Sequence, residues 1–389
     1  MKVCFISPLG YGLYRPDGGA VFGGAEVQFF LLSRELSTDP SFQVTVLTTV
    51  SEQPGTEQYG RLTLVKRKGS GRLSPGAMRS PAAAFRAWSG YVTAFSDMRN
   101  QLRRIDADVY LHAGAGVEVG AYALICRLMR RRFVYVVASS PDLTRPYAKV
   151  RGPLRWLYPM GVRMSDAVVC RSREQQARLR KRYGVDGTLI RTGYPFPATS
   201  SVAWSPEEKF SVLWVGRVHP LKQPDMFLDL AERLPNERFV MIVMPDSAHD
   251  RLFESVRRRA ASLANVMVHE RLPLRQVHAH FAQAKLFVNT SAYEGFPNTF
   301  VQAAMHGVPI LSWTVDPDEV LARGGIGFCA GGDSERLKAL AAQLCSSEAL
   351  QVEIGRRGEE YARQNHELSR SVEDLKALLR TLAKVPERS

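Results

Sequence analysis

Short apolar runs alternate with longer amphipathic stretches along the first half of the chain. The apolar runs predict β-strands at 2–8, 43–49, 61–65, 108–113, 132–139, 167–170 and 187–191. Most of these runs are apolar on both faces, which is typical of a parallel sheet that is buried on both sides. The stretches between them predict helices at 24–37, 80–104, 117–131, 152–164 and 172–184. This alternation predicts an open, doubly wound sheet with right-handed crossovers.

The alternation stops at 192–208, where proline, serine and glycine concentrate, and then starts again. Further strands are predicted at 210–216, 238–244, 266–269, 286–290 and 308–313. Further helices are predicted at 222–233, 249–263, 274–283, 298–306 and 333–346, with a last helical stretch at 348–383. The predicted fold class is therefore α/β, with two Rossmann-like, doubly wound domains facing a central cleft.

We place the first domain at 1–194 and the second at 195–365. Residues 366–389 are predicted to form a C-terminal helix that can cross back to the first domain. Ligands of doubly wound sheets bind beyond the carboxyl ends of the strands, so the cleft is the expected site.

The composition indicates a globular protein. Hydrophobic residues make up 45% of the 389 residues, and no apolar run approaches the roughly 20 residues of a membrane span. The opening MKVCFISPLG predicts a strand, not a signal peptide. The five cysteines are scattered without a C-x-x-C pair, which favours packing roles in a reducing, cytoplasmic compartment over disulfides or a zinc site.

Positive charge is concentrated in the first half of the chain. Residues 1–195 contain 29 Lys and Arg against 14 Asp and Glu, whereas the whole chain contains 52 against 38. Such an excess favours anionic partners such as lipid headgroups or nucleic acid, and a solvated surface is the alternative. The aromatic and basic stretch at 85–104 is one candidate for membrane contact, and an amphipathic helix packed on the sheet is the alternative.

Two cations follow the first predicted strand of the second half. The strand ends at Gly216, and Arg217 and Lys222 come next, five residues apart. Beside the carboxyl end of a strand such a pair can clamp a diphosphate, Arg as a planar fork and Lys as a point charge. Ordinary surface positions are the alternative for this pair taken alone.

The stretch EGFPNTFVQAAMHGVP predicts a loop that opens a helix. Gly295 allows a sharp turn and the close approach of a ligand. The N–H groups of Phe296, Asn298 and Thr299 would then face a phosphate at the helix start. Glu294 could accept hydrogen bonds from sugar hydroxyls.

About one turn inside that helix, Gln302 could contact ribose hydroxyls without charge. A plain helix start with a packing glutamine is the alternative for the whole stretch. Gly23 and Gly24 precede another predicted helix, but no G-x-G-x-x-G spacing is present, so a nicotinamide cofactor is poorly supported. A helix start approached by a substrate's phosphate is a better use of these glycines.

In this order, these pieces resemble the nucleotide-sugar glycosyltransferases of family 4, which have the GT-B architecture of two Rossmann-like domains facing a cleft. The resemblance runs over nearly the whole chain. It includes GGAE near the start, SDAVVCRSREQQARL at 165–179, VGRVHPLKQ, EGFPNTFVQAAMHGVP and DPDEVLARGGIGF at 316–328. It implies a nucleotide-sugar donor, most commonly a UDP-sugar, and retention of anomeric configuration with no metal ion or cofactor.

The resemblance also implies roles for individual residues. Arg217 and Lys222 would hold the donor diphosphate and Glu294 would contact the donor sugar, so these three are the candidate catalytic residues. The other candidate donor-binding residues are Gly216, Arg271, Leu272, Gly295, Phe296, Asn298, Thr299 and Gln302. The candidate residues near the acceptor are Gly23, Gly24, His112, Ser140 and Asp142.

The sequence departs from the family pattern in two places. Gln302 replaces the second glutamate of the motif, so a carboxylate contact with ribose is in doubt. Many members also have a histidine after the strand at 133–138, where this chain has Ser139, Ser140 and Asp142. His112 either substitutes for it or is an ordinary histidine at a strand end.

The expected chemistry follows from charge. Breaking a sugar–phosphate bond develops negative charge on the diphosphate, which a cationic clamp and a helix start stabilise without a metal ion. A hydrolase would need two carboxyl groups beside the bond, and Glu294 has no obvious acidic partner. His278 and His280 are two positions apart on a predicted helix and match no common metal pattern, so no metal site is expected.

The expected activity is transfer to a glycan or lipid-linked acceptor in polysaccharide biosynthesis, in the cytoplasm or at the inner face of the cell membrane. The basic first half would contact anionic lipid there. A nucleotide-sugar epimerase of the same fold is one alternative, although no set of acid and base carboxylates is evident. A nucleic-acid-binding protein is the other, and it lacks a recognisable reading module, so no nucleic-acid partner is expected.

Overall fold

The computed structural model describes residues 1–15, 23–50, 54–68, 81–144, 153–196, 209–246 and 248–384. The chain divides into two compact units. The first unit contains Met1–Arg191 together with the chain from Ser371 onward, and the second contains Thr192–Arg370.

The first unit is built on a sheet of eight strands within the described residues. They are β1 (Lys2–Ile6), β2 (Gln43–Val50), β3 (Gly55–Tyr59), β4 (Leu62–Lys68), β5 (Val109–Ala113), β6 (Arg132–Val136), β7 (Ala167–Cys170) and β8 (Gly187–Leu189). Their order is β3-β4-β2-β1-β5-β6-β7-β8. Every neighbouring pair is parallel except β3 with β4, which form an antiparallel hairpin at one edge.

Helices connect these strands, as expected for parallel neighbours. They are α1 (Gly24–Leu36), α2 (Pro81–Ile105), α3 (Val117–Leu128), α4 (Pro141–Thr144), α5 (Leu157–Met164) and α6 (Arg173–Tyr183). α3 and α5 cross closely because glycines lie at the contact. A Cβ added to Gly161 would lie 2.5 Å from the backbone nitrogen of Gly120, so no larger side chain fits there without a shift.

The second unit repeats the architecture with six described strands. They are β9 (Ser211–Arg217), β10 (Arg238–Met244), β11 (Val266–Glu270), β12 (Ala284–Asn289), β13 (Ile310–Ser312) and β14 (Gly327–Cys329). The order is β11-β10-β9-β12-β13-β14, and all neighbours are parallel. This is the order of a dinucleotide-binding Rossmann sheet, so the predicted α/β, doubly wound class is confirmed for both units.

The helices that follow α6 are α7 (Pro224–Arg233), α8 (Asp250–Ala261), α9 (Leu274–Ala282), α10 (Asn298–Met305), α11 (Ser334–Ser346), α12 (Glu348–His366) and α13 (Leu368–Lys384). The prediction of one continuous helical stretch at 348–383 is wrong, because Glu367 is extended and separates α12 from α13. The amide of Leu368 donates to the carbonyl of Tyr194 at 2.9 Å, and the amide of Tyr194 donates to the carbonyl of His366 at 2.9 Å. Strand-like bonds to Tyr194 therefore replace the helical ones at this position.

α13 carries an apolar face at helical spacing. Its buried residues are Leu368, Val372, Leu375, Leu379 and Leu382. On another face, the Lys376 ammonium lies 3.1 Å from the carboxylate of Asp39 in the first unit. The last helix therefore groups with the beginning of the chain through burial and an ion pair.

Two strands of the structure, β3 and β14, were not predicted from the sequence. β3 is a polar edge strand with mostly exposed residues, so it has no alternation of apolar and polar positions to detect. β14 has only three residues, which is too short for any periodicity to be visible.

Candidate functional site

The carboxyl ends of β9 and β12 lie side by side in the second sheet. The connection from β9 runs to β10 on one side, whereas β12 flanks β9 on the other. Such a reversal leaves a crevice between the outgoing loops, and ligands of doubly wound sheets bind there. Gly216, Arg217 and Lys222 end or follow β9, and Glu294 follows β12, so the fold brings the predicted donor-binding loops to one place.

Lys222 and Glu294 contact each other directly. The Lys222 ammonium donates to Glu294 Oε1, and the Ser291 hydroxyl donates to the same oxygen at 2.8 Å. The Lys222 side chain is 29% exposed and that of Glu294 is 18% exposed. Each charged group is therefore held by a partner of opposite charge and is still accessible to a ligand from solvent.

A buried hydrogen-bond relay fixes the backbone of Lys222. The Trp214 indole N–H donates to Thr290 Oγ1 at 2.9 Å, and the Thr290 hydroxyl donates to the Lys222 carbonyl at 2.6 Å. The amide of Ala292 donates to the carbonyl of Leu221 at 2.8 Å. These bonds tie the loop after β9 to the loop after β12.

Gly216 makes room for this relay. A Cβ at Gly216 would lie 2.9 Å from the Trp214 ring, closer than real contacts allow. Gly216 was predicted as a donor-binding residue, and the structure gives it a packing role against Trp214.

A tight turn places Lys222 ahead of α7. The His219 ring caps the 3-10 turn Pro220–Lys222, accepting the Leu221 amide at Nδ1 over 3.1 Å. Gln223 then adopts a left-handed conformation with φ of 44°. The prediction that the helix begins at 222 is wrong for this reason, and α7 begins at Pro224.

The start of α10 faces the same edge of the sheet. Pro297 takes the N-cap position and no side chain caps the helix start, so the first amides belong to Asn298 and Thr299, as the sequence predicts. Gly295 does not have a positive φ, so its turn does not require the conformational freedom of glycine. Gln302 is 4% exposed, inside the first turns of α10.

Phe296 is not turned outward to solvent. It is buried, and its ring lies 4.7 Å from the ring of His366. The His366 ring is itself fully buried, with Nδ1 2.7 Å from the carbonyl oxygen of Thr192. The side chain of Phe296 thus anchors the loop, which leaves its backbone amide as the group predicted to contact a ligand.

Arg217 lies near a cluster that sequence reasoning missed. Burial raises the pKa of Asp246, but the Ala248 amide, His249 and Arg217 together hold it below its ordinary value. His219, Asp246 and His249 each offer a ligand atom within 4.8 Å of the others, the geometry of a possible cation site.

The protonation of His219 disfavours a cation at this cluster. Its Nδ1 accepts the amide of Leu221, so in the neutral ring the proton sits on Nε2. A metal ion at Nε2 would require that proton to leave and the bond to Leu221 to break.

The loop of Arg271 and Leu272 follows β11, at the same edge of the sheet but beyond β10. Arg271 is exposed, has φ of 53°, and its amide donates to the Val243 carbonyl at 3.1 Å. The loop is therefore anchored to β10, with the Arg271 side chain directed away from the protein interior. His278 and His280 face different neighbours, since His278 contacts His306 and His280 contacts His269.

In the first unit, the helix start at Gly23 and Gly24 has a cap of its own. The Gly23 amide donates to the Glu26 carboxylate at 2.9 Å, which completes a capping box. A phosphate at this start would compete with the carboxylate of Glu26. The GGAE motif already indicates this capping box, because Glu26 comes three residues after the N-cap residue Gly23.

Asp142 has a local partner in the first unit. Its carboxylate accepts the Ser139 amide at 2.9 Å, and its carbonyl accepts the Tyr158 hydroxyl at 3.1 Å. Ser140 is 5% exposed. These two acceptor-side candidates therefore shape the loop between β6 and α4.

His112 ends β5 and is buried, with its ring 5.1 Å from the ring of Tyr122. Burial lowers the pKa of His112 to about 4, with a further small contribution from Arg67, whereas the backbone of Ile6 acts in the opposite direction. The ring is therefore neutral near pH 7. The candidate residues of this unit share the carboxyl edge of the first sheet.

Comparison with known families gives one match for each half of the chain. A model described as Glycosyltransferase Family 4 matches residues 22–196, and one described as Glycosyl transferases group 1 matches 209–347. The chain is a glycosyltransferase, and its first half matches the family 4 model. The first match lies almost entirely in the first unit and ends just inside the second, and the second match lies in the second unit.

Solved structures share the whole fold. Sucrose-phosphate synthase from Thermosynechococcus elongatus superposes with a TM-score of 0.75 at 16% identity, over 98% of this chain and 99% of that one. Anabaena HepE in complex with UDP and glucose has a TM-score of 0.70 at 15% identity, over 98% and 100%. A trehalose-6-phosphate protein from E. coli bound with UDP-2-fluoro glucose has a TM-score of 0.71 at 10% identity, with full coverage of both chains. The architecture is therefore GT-B, as predicted.

One curated relative is a Klebsiella pneumoniae protein described as an uncharacterized 41.2 kDa protein in a cps region. It is 26% identical over 106 residues, which are 27% of this chain and 28% of that protein. The match therefore spans just over a quarter of the relative's length. Within the described residues, no helix of this glycosyltransferase is both long and apolar enough to cross a membrane.

Proposed function

We propose that this glycosyltransferase transfers a sugar from a UDP-sugar donor, with retention of anomeric configuration, to a glycan or lipid-linked acceptor in polysaccharide biosynthesis. The main support for a nucleotide-sugar donor is the accessible Lys222–Glu294 pair, which lies where the strand order of the second sheet reverses, at its switch point between β9 and β12. It offers a cation for a diphosphate and a carboxylate for sugar hydroxyls within one hydrogen bond of each other. Structures of the same fold include complexes with UDP and UDP-glucose.

In the proposed reaction, the donor separates the ion pair. The diphosphate binds the Lys222 ammonium and the backbone amides at the start of α10, and the sugar hydroxyls bind Glu294. As the sugar–phosphate bond breaks, negative charge grows on the leaving diphosphate, and these groups are already oriented to stabilise it. The acceptor hydroxyl attacks the same face and passes its proton to the leaving phosphate oxygen. No protein carboxylate needs to act as a base.

Ligand-dependent stability tests the donor. Only a ligand that binds the native state raises the melting temperature, so UDP is expected to raise it more than GDP or ADP at equal concentration. Equal or absent shifts for all three nucleotides would remove the donor assignment. An EDTA-treated sample should show the same UDP shift, and a shift that requires an added divalent cation would contradict the metal-independent mechanism.

Product analysis tests the stereochemistry. With a UDP-α-sugar and an acceptor preparation, the new linkage is expected to show an α-anomeric proton by NMR. A β-linkage from the same donor would contradict retention. UDP release without a transferred sugar would favour hydrolysis or epimerisation over transfer.

We also propose that the protein acts in the cytoplasm at an anionic membrane surface. The support is the basic excess of residues 1–195, since each Lys or Arg near an anionic membrane contributes on the order of 1 kcal/mol. Co-sedimentation with phosphatidylglycerol vesicles at low salt is the test, with phosphatidylcholine vesicles as the control. Equal sedimentation with both would remove the membrane contact and leave the catalytic proposal intact.

A further inference from the structure

Three side chains with metal-binding atoms meet at the carboxyl ends of β9 and β10. His219 comes two residues after β9, and Asp246 comes two residues after β10. The two strands are parallel neighbours, and the amide of Val218 donates to the carbonyl of Met244 at 2.9 Å, so both loops leave the sheet at the same edge. His249 takes the N-cap position of α8 and lies against His219, with 4.5 Å between the ring centroids.

The ligand atoms of this cluster are spaced for a small transition-metal ion. One ligand atom from each of the three side chains lies within 4.8 Å of the other two. His249 Nδ1 lies 3.4 Å from Asp246 Oδ2. A tetrahedral zinc ion, with bonds of about 2.0–2.1 Å, holds its ligand atoms roughly 3.3 Å apart, so this pair is already near the required separation. Two imidazoles and a carboxylate favour Zn²⁺ over Mg²⁺, which prefers oxygen ligands.

An ion from solvent can reach these ligands. The side chain of His249 is 29% exposed, and that of Asp246 is 18% exposed. Although burial raises it, the pKa of Asp246 lies below its ordinary value, so the carboxylate is ionised and has no proton to lose when it binds a metal. Arg217 contributes to this lowering, and its charge also limits how tightly a cation binds.

His219 also holds the turn that carries Lys222. Its Nδ1 accepts the amide of Leu221 at 3.1 Å, and its carbonyl accepts the amide of Lys222 at 2.8 Å. The carbonyl of Leu221 in turn accepts the amide of Ala292, in the loop that leads to Glu294. The His219 cap is therefore part of the set of bonds that joins the Lys222 turn to the loop of Glu294.

A metal ion at His219 is incompatible with this cap, whichever ring nitrogen binds it. At Nδ1 the ion takes the lone pair that accepts the Leu221 amide. At Nε2 the ion displaces the ring proton, and in the neutral ring that proton moves to Nδ1, where it opposes the N–H of Leu221. Metal binding and an intact cap therefore exclude each other.

We propose that His219, Asp246 and His249 form an inhibitory site for Zn²⁺, and that the bound ion releases the turn of Lys222 and weakens donor binding. The three side chains supply two imidazole nitrogens and one carboxylate oxygen, and water completes the tetrahedron. The effect on the donor rests on the proposed role of Lys222 in holding the diphosphate. Metal binding and the loss of the cap do not.

The first measurement is Zn²⁺ binding to the full-length wild type, H249Q and H280Q by calorimetry. The wild type is expected to bind one Zn²⁺ saturably, and H249Q at least about tenfold more weakly, because a ligand is removed. H280Q is the matched control, since His280 contacts His269 outside the cluster, with 4.7 Å between the ring centroids. Equal Zn²⁺ binding by H249Q and the wild type would overturn the site. If H249Q does not fold, D246N is measured instead with the same expectation.

The second measurement follows the cap in protein labelled with ¹⁵N-leucine. L221M identifies the amide signal of Leu221 by its loss. Zn²⁺ should shift this signal in the wild type and in H280Q, but not in H249Q, because only an ion held by the cluster displaces the cap. A signal that stays in place while the wild type is saturated with Zn²⁺ would show that the cap survives, which contradicts the proposal.

The third measurement is the affinity for UDP with and without Zn²⁺. In the wild type, saturating Zn²⁺ should raise the dissociation constant of UDP at least about fivefold, and UDP should weaken Zn²⁺ binding by the same factor. H249Q should bind UDP like the metal-free wild type and not respond to Zn²⁺. Mg²⁺ should change neither protein, and an equal effect of Mg²⁺ would point to chelation by the nucleotide and count against the site.

The UDP measurement also separates this proposal from the donor assignment. Unchanged or tighter UDP binding by the Zn²⁺-saturated wild type would overturn the inhibitory role. No UDP binding by the metal-free wild type would defeat the donor assignment and with it the inhibition. Zn²⁺ binding and the shift of the Leu221 signal would then still establish the metal site.

Discussion

Both sheets reverse direction at the first strand of their unit, yet the described groups near the two switch points differ in charge pairing. In the second sheet, Lys222 is matched by Glu294 across the crevice. In the first, the two hydrogen bonds of Arg67 within the described residues go to the neutral Thr49 and Gln101, and His112 at the end of β5 is neutral because burial lowers its pKa to about 4. The ion pair in the second sheet suits the proposed donor, which brings both negative charge and hydroxyls.

The charge of the two halves follows the same division. The basic excess belongs to residues 1–195, and the remainder of the chain is close to neutral. A paired cation costs little to keep without a ligand, whereas an unpaired one relies on solvent and neutral dipoles. Lys222 therefore keeps its charge balanced without a ligand, whereas the two hydrogen bonds of Arg67 go to neutral groups.

The largest expected effect is the loss of Lys222. K222A should lower kcat/KM for the donor by about 100-fold or more, because a positioned charge on the leaving group is removed. K285A is the matched control, since Lys285 forms a similar ion pair with Glu237 at the opposite end of β12. Steady-state kinetics and circular dichroism of both variants measure it. Equal kcat/KM in K222A and K285A would remove Lys222 from the mechanism.

The next effect is the pH dependence of the first unit. Because the folded pKa of His112 is lowered, the unfolded chain binds the proton first as the pH falls. The contribution of His112 to the free energy of unfolding is therefore constant above about pH 7. It falls by up to about 3 kcal/mol as the pH drops from about 6.5 to 4. Hydrogen exchange of the β5 amides at pH 7 and pH 4.5 measures this, and H112Q should lose less. Equal losses in both proteins would show that His112 does not cause the trend.

The relay beneath Lys222 should give a smaller effect. T290V removes the acceptor of Trp214 and the donor to the Lys222 carbonyl, so kcat/KM should fall about tenfold and stability by about 1–2 kcal/mol. T314V is the control, because Thr314 bonds the carbonyls of Ser291 and Ala292 but not Lys222. Similar kinetics in the two variants would mean that the relay only supports the fold.

The smallest expected effect concerns the two helix starts. Glu26 caps α1, whereas no side chain caps α10. E26A should therefore cost about 1 kcal/mol of unfolding free energy, similar to D333A, which removes the cap of α11. Urea denaturation measures both. An unchanged unfolding free energy in E26A would mean that Glu26 does not cap α1 in solution. The starts of α1 and α10 would then no longer differ in capping.

Much of the candidate donor site could be predicted from the sequence because its parts are local. The spacing of Arg217 and Lys222 after an apolar strand, and the glycine loop before α10, are patterns within a few residues. The direct contact of Lys222 with Glu294 was not predictable, since the two residues are 72 positions apart and meet only through the pairing of β9 with β12. Thr290 and Ser291 were missed for the same reason.

Less of the candidate site could be predicted from the sequence in the first unit. The sequence marked His112 as either a substitute for the family's histidine or an ordinary strand-end residue, and nothing local distinguishes the two. Only the sheet order puts β4 and β5 on either side of β1 and β2, so that Arg67 and His112 influence each other from 45 positions apart. That no described carboxylate pairs with Arg67 is equally a property of the fold and not of the local sequence.

By itself, the sequence predicted the alternation of strands and helices, the glycosyltransferase class, and a set of candidate residues for chemistry. These follow from hydrophobic periodicity and short motifs, which act between neighbours along the chain. The tertiary structure alone decided which charges are paired, which polar side chains are buried, and where the helical stretch is interrupted between α12 and α13. Such features depend on groups far apart in sequence, which only the packing of strands and helices brings within hydrogen-bond distance.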